Sequence, residues 1–452
     1  MDYISNTPQE RKQMLNKIGV ENIEELFSAV PEEVRFNREF NLPSGISELE
    51  LLDLVKEKAD KNINLEEKTS FLGAGAYDHY IPSIVDHIVS RSEFYTAYTP
   101  YQAELSQGTL EAIYEYQSMI AELTGMDIAN ASMLDGGSAL AEAVLMSARI
   151  TRKNKVLVSK GVHPSYRKVT KTYTEPKSVN LKNVELNNSE TDLETIKENL
   201  DDETAAVVIQ YPNFYGTIED LKEIGKLLED KKALFIVAAN PITLGMLEAP
   251  GEFGVDIVVG EGQSLGNTIN YGGPYLGYMA IRDNRKHLRQ LPGRLAGATE
   301  DKEGNKGFVL TLQTREQHIR REKAPSNICS NESLNALVSA IYMSTMGKKG
   351  IKEVGYQSTQ KAHYFAEKID NIDGFEVVNK NNFFHEFWVK SDLNIAKIKE
   401  ELYKEDILAG VNLERFDEEE GLLICVTEKR KKEEMNEFVN KLEVLTDERT
   451  SH

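Results

Sequence analysis

The sequence predicts an α/β protein: a large domain with a mostly parallel sheet covered by helices on both faces, then a smaller α+β domain. Three observations carry that prediction. Strand-like and helix-like runs alternate between Ser138 and Val259, and such alternation builds parallel sheets through crossover helices. The stretch VDIVVGEGQSLGNTINYGGPYLGYMAI, Val255 to Ile281, sets a short buried β-branched strand ahead of a polar, glycine-rich loop and a second short strand. After Pro325 the order becomes helix, strand, strand, helix, strand, helix, the pattern of a compact α+β unit.

Size and charge narrow the function classes. A chain of 452 residues has room for two or three domains and a sizeable core. No run approaches the ~18 consecutive apolar residues that a membrane helix needs. The start, MDYISNTPQERKQML, lacks the basic and apolar segments of a secretory signal, so the expectation is a cytoplasmic protein. A net charge of −20 disfavours nucleic acid and anionic membranes, which select for basic patches. Cys329 and Cys425 show no metal-ligand spacing and read as small core thiols in a reducing compartment. No metal is expected.

The elements follow in order. Residues 1–70 form an arm of short helices: Thr7-Pro8-Gln9-Glu10 and Ser47-Glu48-Leu49-Glu50 are capping boxes, and Gly19 is a stop. Residues 71–325 form the large domain. Its first part holds FYTAYTPYQ, four aromatic residues without a period, and then a helix with Leu110, Ile113, Tyr116, Ile120 and Leu123 on one face, closed by Gly125. A helix Ser138–Arg149, strands Lys155–Ser159, Ala206–Gln210 and Leu234–Ala238, and a helix Thr217–Asp230 complete the alternation, with Leu181–Leu200 peripheral. Residues 326–452 form the small domain: helices Glu332–Met346, Gln360–Ile369, Ile395–Tyr403 and Lys432–Leu445, strands Phe375–Val378, Phe384–Val389 and Leu422–Val426, and a frayed end at Thr446–His452.

Loops after the strands carry the candidate chemistry. Gly136, Gly137 and Ser138 open a helix whose free N–H groups suit a phosphate; a plain N-cap is the alternative. His163 follows one strand and Lys160 precedes it in the same loop; both also suit a structural or solvated role. Tyr211-Pro212-Asn213-Phe214-Tyr215-Gly216 reads as a strand-to-helix turn. Arg315, His318, Arg320, Arg321 and Lys323 cluster in an acidic chain, as a solvated face or an anion contact. A pyridoxal phosphate enzyme needs a lysine in the loop after the central strand, to form the Schiff base. That loop offers Glu261, Gln263, Ser264, Asn267 and Asn270, and no lysine. Val237-Ala238 is apolar where the pyridine nitrogen wants a carboxylate.

The segments FLGAGAYDHYIPSIV, YTPYQAELSQGTLEAIYEYQSMI, SMLDGGSALAEA, DIVVGEGQSLGNTINYGGPYLG, LPGRLAGATED and LQTREQHIRREKAPSNICSNESL closely resemble the P-protein family of the glycine cleavage system, in its N-terminal half. The resemblance implies a fold-type-I pyridoxal-phosphate transferase architecture and glycine decarboxylation with transfer of the aminomethyl group to the lipoyl arm of the H-protein. It implies that the cofactor lysine lies on a partner, glycine dehydrogenase subunit 2, and that Gln263 or Ser264 stands at the equivalent place here. Neither side chain can form the Schiff base, so no covalent cofactor is expected on this chain. Fold-type-I sites are built across subunit interfaces, which makes Tyr95, Tyr98, Thr99, Pro100, Tyr101 and Gln102 the candidates to reach the partner's pocket. Arg294, Arg320, Arg321, Lys323 and His163 are weaker anion-contact candidates. Two competing readings are a stand-alone lyase using Lys160 or Lys323, and a purely structural scaffold.

Overall fold

The computed structural model describes residues 5–36, 38–328, 331–416 and 418–450; Cys329 lies outside them. The chain divides into two units, Met1–Ile63 and Asn64–His452. In the first, Thr7 and Glu10 close a capping box on the helix Pro8–Ile18, which ends at Gly19 with φ 92°. Ser47 and Glu50 do the same for Glu48–Ala59. Both boxes satisfy otherwise orphaned N–H groups at the helix start. Residues 64–70, grouped with the arm on sequence, belong to the second unit, where Thr69–Ser70 pairs in parallel with Ile407–Leu408.

The second unit is built on a seven-stranded sheet: β1 (Ile128–Ala129), β2 (Lys155–Ser159), β3 (Asn180–Val184), β4 (Thr204–Tyr211), β5 (Leu234–Ala239), β6 (Ile257–Glu261) and β7 (Gly277–Ile281). The spatial order is β1-β7-β6-β5-β4-β2-β3. Strands β2 to β6 run parallel, and β7 is antiparallel to both β6 and β1. The period of two splits each strand between faces. Leu157, Val207, Ile209 and Val237 face the helices Gln107–Thr124 and Leu221–Leu228. Val156, Val158, Val208 and Ala238 face the helix Gly136–Thr151. Both faces being covered, the strands read as continuous apolar runs, which is why they were legible.

Several boundaries moved. The central strand runs to Glu261 instead of stopping at Val259, because Gly260 and Glu261 pair with Tyr278 and Gly277. The segment read as peripheral supplies the edge strand β3, whose polar residues suit an edge. The two long helices read after Pro325 lie in one span, Ser333–Asp370, broken only at Gly347 (φ 57°, ψ −177°). The polar run KKGIKEVGYQSTQ hid the first part of the second helix, read only from Gln360; the burial of Ile351, Val354, Gly355 and Ser358 shows that packing forms it. The C-terminal helix continues to Thr450.

The smaller lobe has an antiparallel sheet in the order 375–377, 386–391, 422–425, 411–412. Phe71, Phe365, Phe387 and Phe438 fill its core. The strand expected at Phe384–Val389 begins at Glu386, since Phe384 bonds instead to Gly216 of the large lobe, N to O at 3.2 Å. At this joint Gly216 has φ 88°, and a Cβ there would lie 2.0 Å from the Glu386 carbonyl oxygen. Alanine at 216 therefore meets both a left-handed backbone and rigid main chain. Gly216→Ala is expected to lower unfolding free energy by about 3 kcal/mol, read from the urea midpoint at constant slope.

Candidate functional site

The carboxyl ends of four neighbouring parallel strands, β2, β4, β5 and β6, converge on one cavity. Its lining includes His163 and Tyr166 after β2, Gln210 on β4, Ala238 to Asn240 at β5, and Gly260 and Glu261 on β6, with Gly75 and Tyr77 closing the mouth. This is where ligands bind in open α/β sheets. Yet the cavity measures only about 30 Å³, room for roughly one water and far below the ~300 Å³ of a small cofactor site.

The cavity is small because its polar groups have turned to one another. Glu261 Oε2 accepts from Gly136 N at 3.1 Å, and Oε1 accepts from Leu276 N at 2.9 Å and Gln263 N at 3.2 Å. Burial pushes the Glu261 carboxyl up to about 7, against the pull of those N–H groups and with the charge of Asp135 adding to the rise. Asp135 accepts from Ser138 N at 2.7 Å. The N–H groups of Gly136 and Ser138, suited on sequence to a phosphate, are thus held by two carboxylates of the chain itself. Gly136 is required here: a Cβ would lie 2.3 Å from Tyr166 Oη.

Gln263 is equally engaged. Its Oε1 accepts from Tyr77 N at 2.8 Å, and its Nε2 donates to Tyr77 O at 3.1 Å and Asn267 O at 2.8 Å. Ser264 is buried beside it. Ala238 and Ala239 line the cavity, while Val237 faces the opposite core. His163 Nδ1 accepts from Ser165 N at 3.0 Å, which leaves Nε2 to donate to Ala74 O at 2.9 Å. Burial, helped by the charge of Arg167, lowers its pKa to about 4, so the ring is neutral near pH 7, stacked on Tyr166 at 4.9 Å. Lys160 pairs with Glu185 at 2.6 Å in a separate open groove, and Lys323 is exposed. The residues present do not fit pyridoxal phosphate: neither the amine, the carboxylate, the free anion cup nor the volume is there.

The tyrosine-rich loop is a different surface. Tyr95, Tyr98 and Tyr101 are 65%, 80% and 55% exposed, around a buried Pro100 and an exposed Gln102. Beneath them lies Arg294, only 2% exposed. Its Nη1 donates to Thr99 Oγ1 at 2.9 Å and its Nη2 to Tyr101 Oη at 3.0 Å. The structure thus joins two candidates that sequence had treated separately. Arg320 and Arg321 are exposed with Lys323, whereas Arg315 of the same basic run is buried and donates to the carbonyls of Leu291 and Gly293. Sequence reading passed over Glu261 as a site-filling group and Arg315 as a support. The usable signal for Glu261 was an acid directly after an apolar core strand.

A parallel sheet with a helix start and strand-end loops around one cleft defines the class: the large domain of a pyridoxal-phosphate transferase fold, here without an amine to hold the cofactor. The family profile of the glycine cleavage system P-protein matches residues 1–442. A probable glycine dehydrogenase (decarboxylating) subunit 1 from Carboxydothermus hydrogenoformans is 54% identical over 444 residues, 98% of this chain and 99% of that one. A crystal structure of glycine decarboxylase (P-protein) in inhibitor-bound form superposes with a TM-score of 0.90 at 40% identity, covering 98% of this chain and 99% of the other. Sphingosine-1-phosphate lyase from Burkholderia pseudomallei shares the fold at 16% identity, with a TM-score of 0.67 over 92% of this chain and 94% of that one. The chain belongs to the P-protein family of the glycine cleavage system.

Two outcomes follow from the filled pocket. The purified chain incubated with pyridoxal phosphate should show no saturable aldimine absorbance, since the loop has no amine to condense with the aldehyde. The second concerns Glu261, which titrates near 4.5 when unfolded and at about 7 when folded. Its stabilising proton is fully present below the lower value and lost as pH rises through the upper one. Urea midpoints of Glu261→Gln and wild type should therefore shift in the variant's favour between about pH 5 and 8.

Proposed function

We propose that this chain is the non-lysine subunit of a heteromeric glycine decarboxylase, with no activity alone. In this reading the lysine-bearing partner, glycine dehydrogenase subunit 2, holds pyridoxal phosphate. The aminomethyl group left after loss of CO2 passes to the lipoyl group of the H-protein. Pyridoxal phosphate, when bound on the partner, supplies the electron sink for the decarboxylation. The observation that carries the reading is the self-filled cleft: Gln263 bonds to the Tyr77 backbone where a catalytic subunit would need its amine. The subunit 1 designation of the relatives supports a two-subunit enzyme. With a net charge of −20 the reading includes no nucleic acid or membrane partner, and it takes the complex to be cytoplasmic. Among the described residues no helix is long and apolar enough to cross a membrane.

This chain's work is then done by the loop Tyr95 to Gln102. Tyrosine brings a rigid ring and a phenolic donor at low entropy cost, suited to orienting a small substrate and excluding water at the edge of the partner's pocket. Thr99 and Pro100 fix the backbone between the rings, and Gln102 adds an exposed amide. The test is glycine–bicarbonate exchange by the assembled complex. Tyr98→Phe or Tyr101→Phe should lower turnover by about tenfold, the loss of one hydrogen bond worth ~1.4 kcal/mol in the rate-limiting state. A scaffold subunit predicts no change in either variant.

A further inference from the structure

We propose that Arg294 is a positioning residue, whose buried guanidinium sets the posture in which the tyrosine loop meets the partner's site; this rests on the reading of that loop given above. A guanidinium placed at 2% exposure is costly unless its donors are satisfied. Here two of them are directed at the loop, Nη1 at Thr99 Oγ1 (2.9 Å) and Nη2 at Tyr101 Oη (3.0 Å), with the Tyr101 ring centroid 5.1 Å from the guanidinium carbon. Glu316 Oε2 lies 3.9 Å from Arg294 Nε and balances the charge from behind.

Two bonds to residues two apart in sequence do what one cannot. They fix both the height and the rotation of the turn through buried Pro100, and therefore the direction in which exposed Tyr98 points. The loop's own backbone bonds are local, such as Tyr101 N to Thr99 O at 2.9 Å and Ala97 N to Phe94 O at 3.0 Å, and cannot set its orientation on the domain. Lysine could not replace the fork, being a point donor without a planar pair of N–H groups.

Arg294 is itself held rigidly. Its carbonyl accepts from Ala131 N at 2.9 Å, Asn130 Nδ2 donates to Pro292 O at 3.0 Å, and Arg315 ties the Leu291 and Gly293 carbonyls. A second buried arginine thus anchors the first. Such a supporting layer is what keeps a functional group within the tolerance that turnover requires.

The experiment has two readouts on Arg294→Lys and Thr99→Val. Chymotrypsin cleavage after Tyr98 and Tyr101, mapped by mass spectrometry on the chain alone, reports loop posture. Glycine–bicarbonate exchange by the complex reports function. The expected result is cleavage several-fold faster and kcat reduced about tenfold with KM for glycine little changed, the Thr99→Val effect being smaller. In Arg294→Ala, low-millimolar guanidinium, but not urea, should restore part of both. Unchanged cleavage in both Arg294→Lys and Thr99→Val overturns the inference; Thr99→Val leaves the buried core intact and decides it if the arginine variants do not fold. Faster cleavage with unchanged exchange, in a complex where Tyr98→Phe is slow, overturns the positioning role alone. Unchanged exchange in Tyr98→Phe and Tyr101→Phe as well overturns the reading of the loop, and the positioning role with it.

Discussion

The amide of Gln263 closes this molecule. By accepting from and donating to the backbone of Tyr77, it fixes a segment that the two lobes share. Ala74 N donates to Glu386 Oε1 at 2.7 Å, Tyr77 Oη donates to Glu386 Oε2 at 2.7 Å, and Tyr80 N donates to Glu428 Oε1 at 2.6 Å. Thr427 Oγ1 adds a bond to Asp78 O at 2.8 Å. The large lobe contributes Gln263 and His163 to this segment, the small lobe Glu386, Thr427 and Glu428. Side chains of both lobes thus tie the same segment through its main chain, and Glu386 also through the Tyr77 hydroxyl.

Electrostatics carry the same message. Glu219, Glu261 and Glu386 are buried carboxyls, each raised by burial to about 7. Each accepts from backbone N–H groups: Thr191 on Glu219, Gly136 and Leu276 on Glu261, Ala74 on Glu386. An unpaired buried carboxylate is expensive, and these bonds are the compensation available inside a protein. At the cup this has a functional side. The Gly136 and Ser138 N–H groups at the helix start are held by Glu261 and Asp135, so a phosphate reaching Gly136 would have to displace Glu261 and meet its charge nearby.

The polar groups therefore fall into two populations. Those in the cleft have turned inward and become structural. In the tyrosine loop Tyr95, Tyr98 and Gln102 are exposed, while Thr99 Oγ1 and Tyr101 Oη accept from the buried arginine beneath. A charge buried beneath an exposed loop makes sense where the loop's orientation matters to something outside the chain, since a surface turn with no external task is stable enough on its own backbone bonds.

The sequence by itself determined the alternation of strands and helices, and the missing lysine. Both are carried by residue identity and local period: the apolar runs of β4 and β5 cannot sit on a surface, and no conformation gives glutamine an amine. It also marked the tyrosine loop and Arg294, each on composition, but not their union, because nothing local links residues 99 and 101 to residue 294. Only the tertiary structure decided that Glu261 would fill the helix start, that Gln263 would tie Tyr77, and that the polar run after Gly347 would be helix. These depend on long-range hydrogen bonds and packing, whose partners are named by the fold and by no neighbour in the chain.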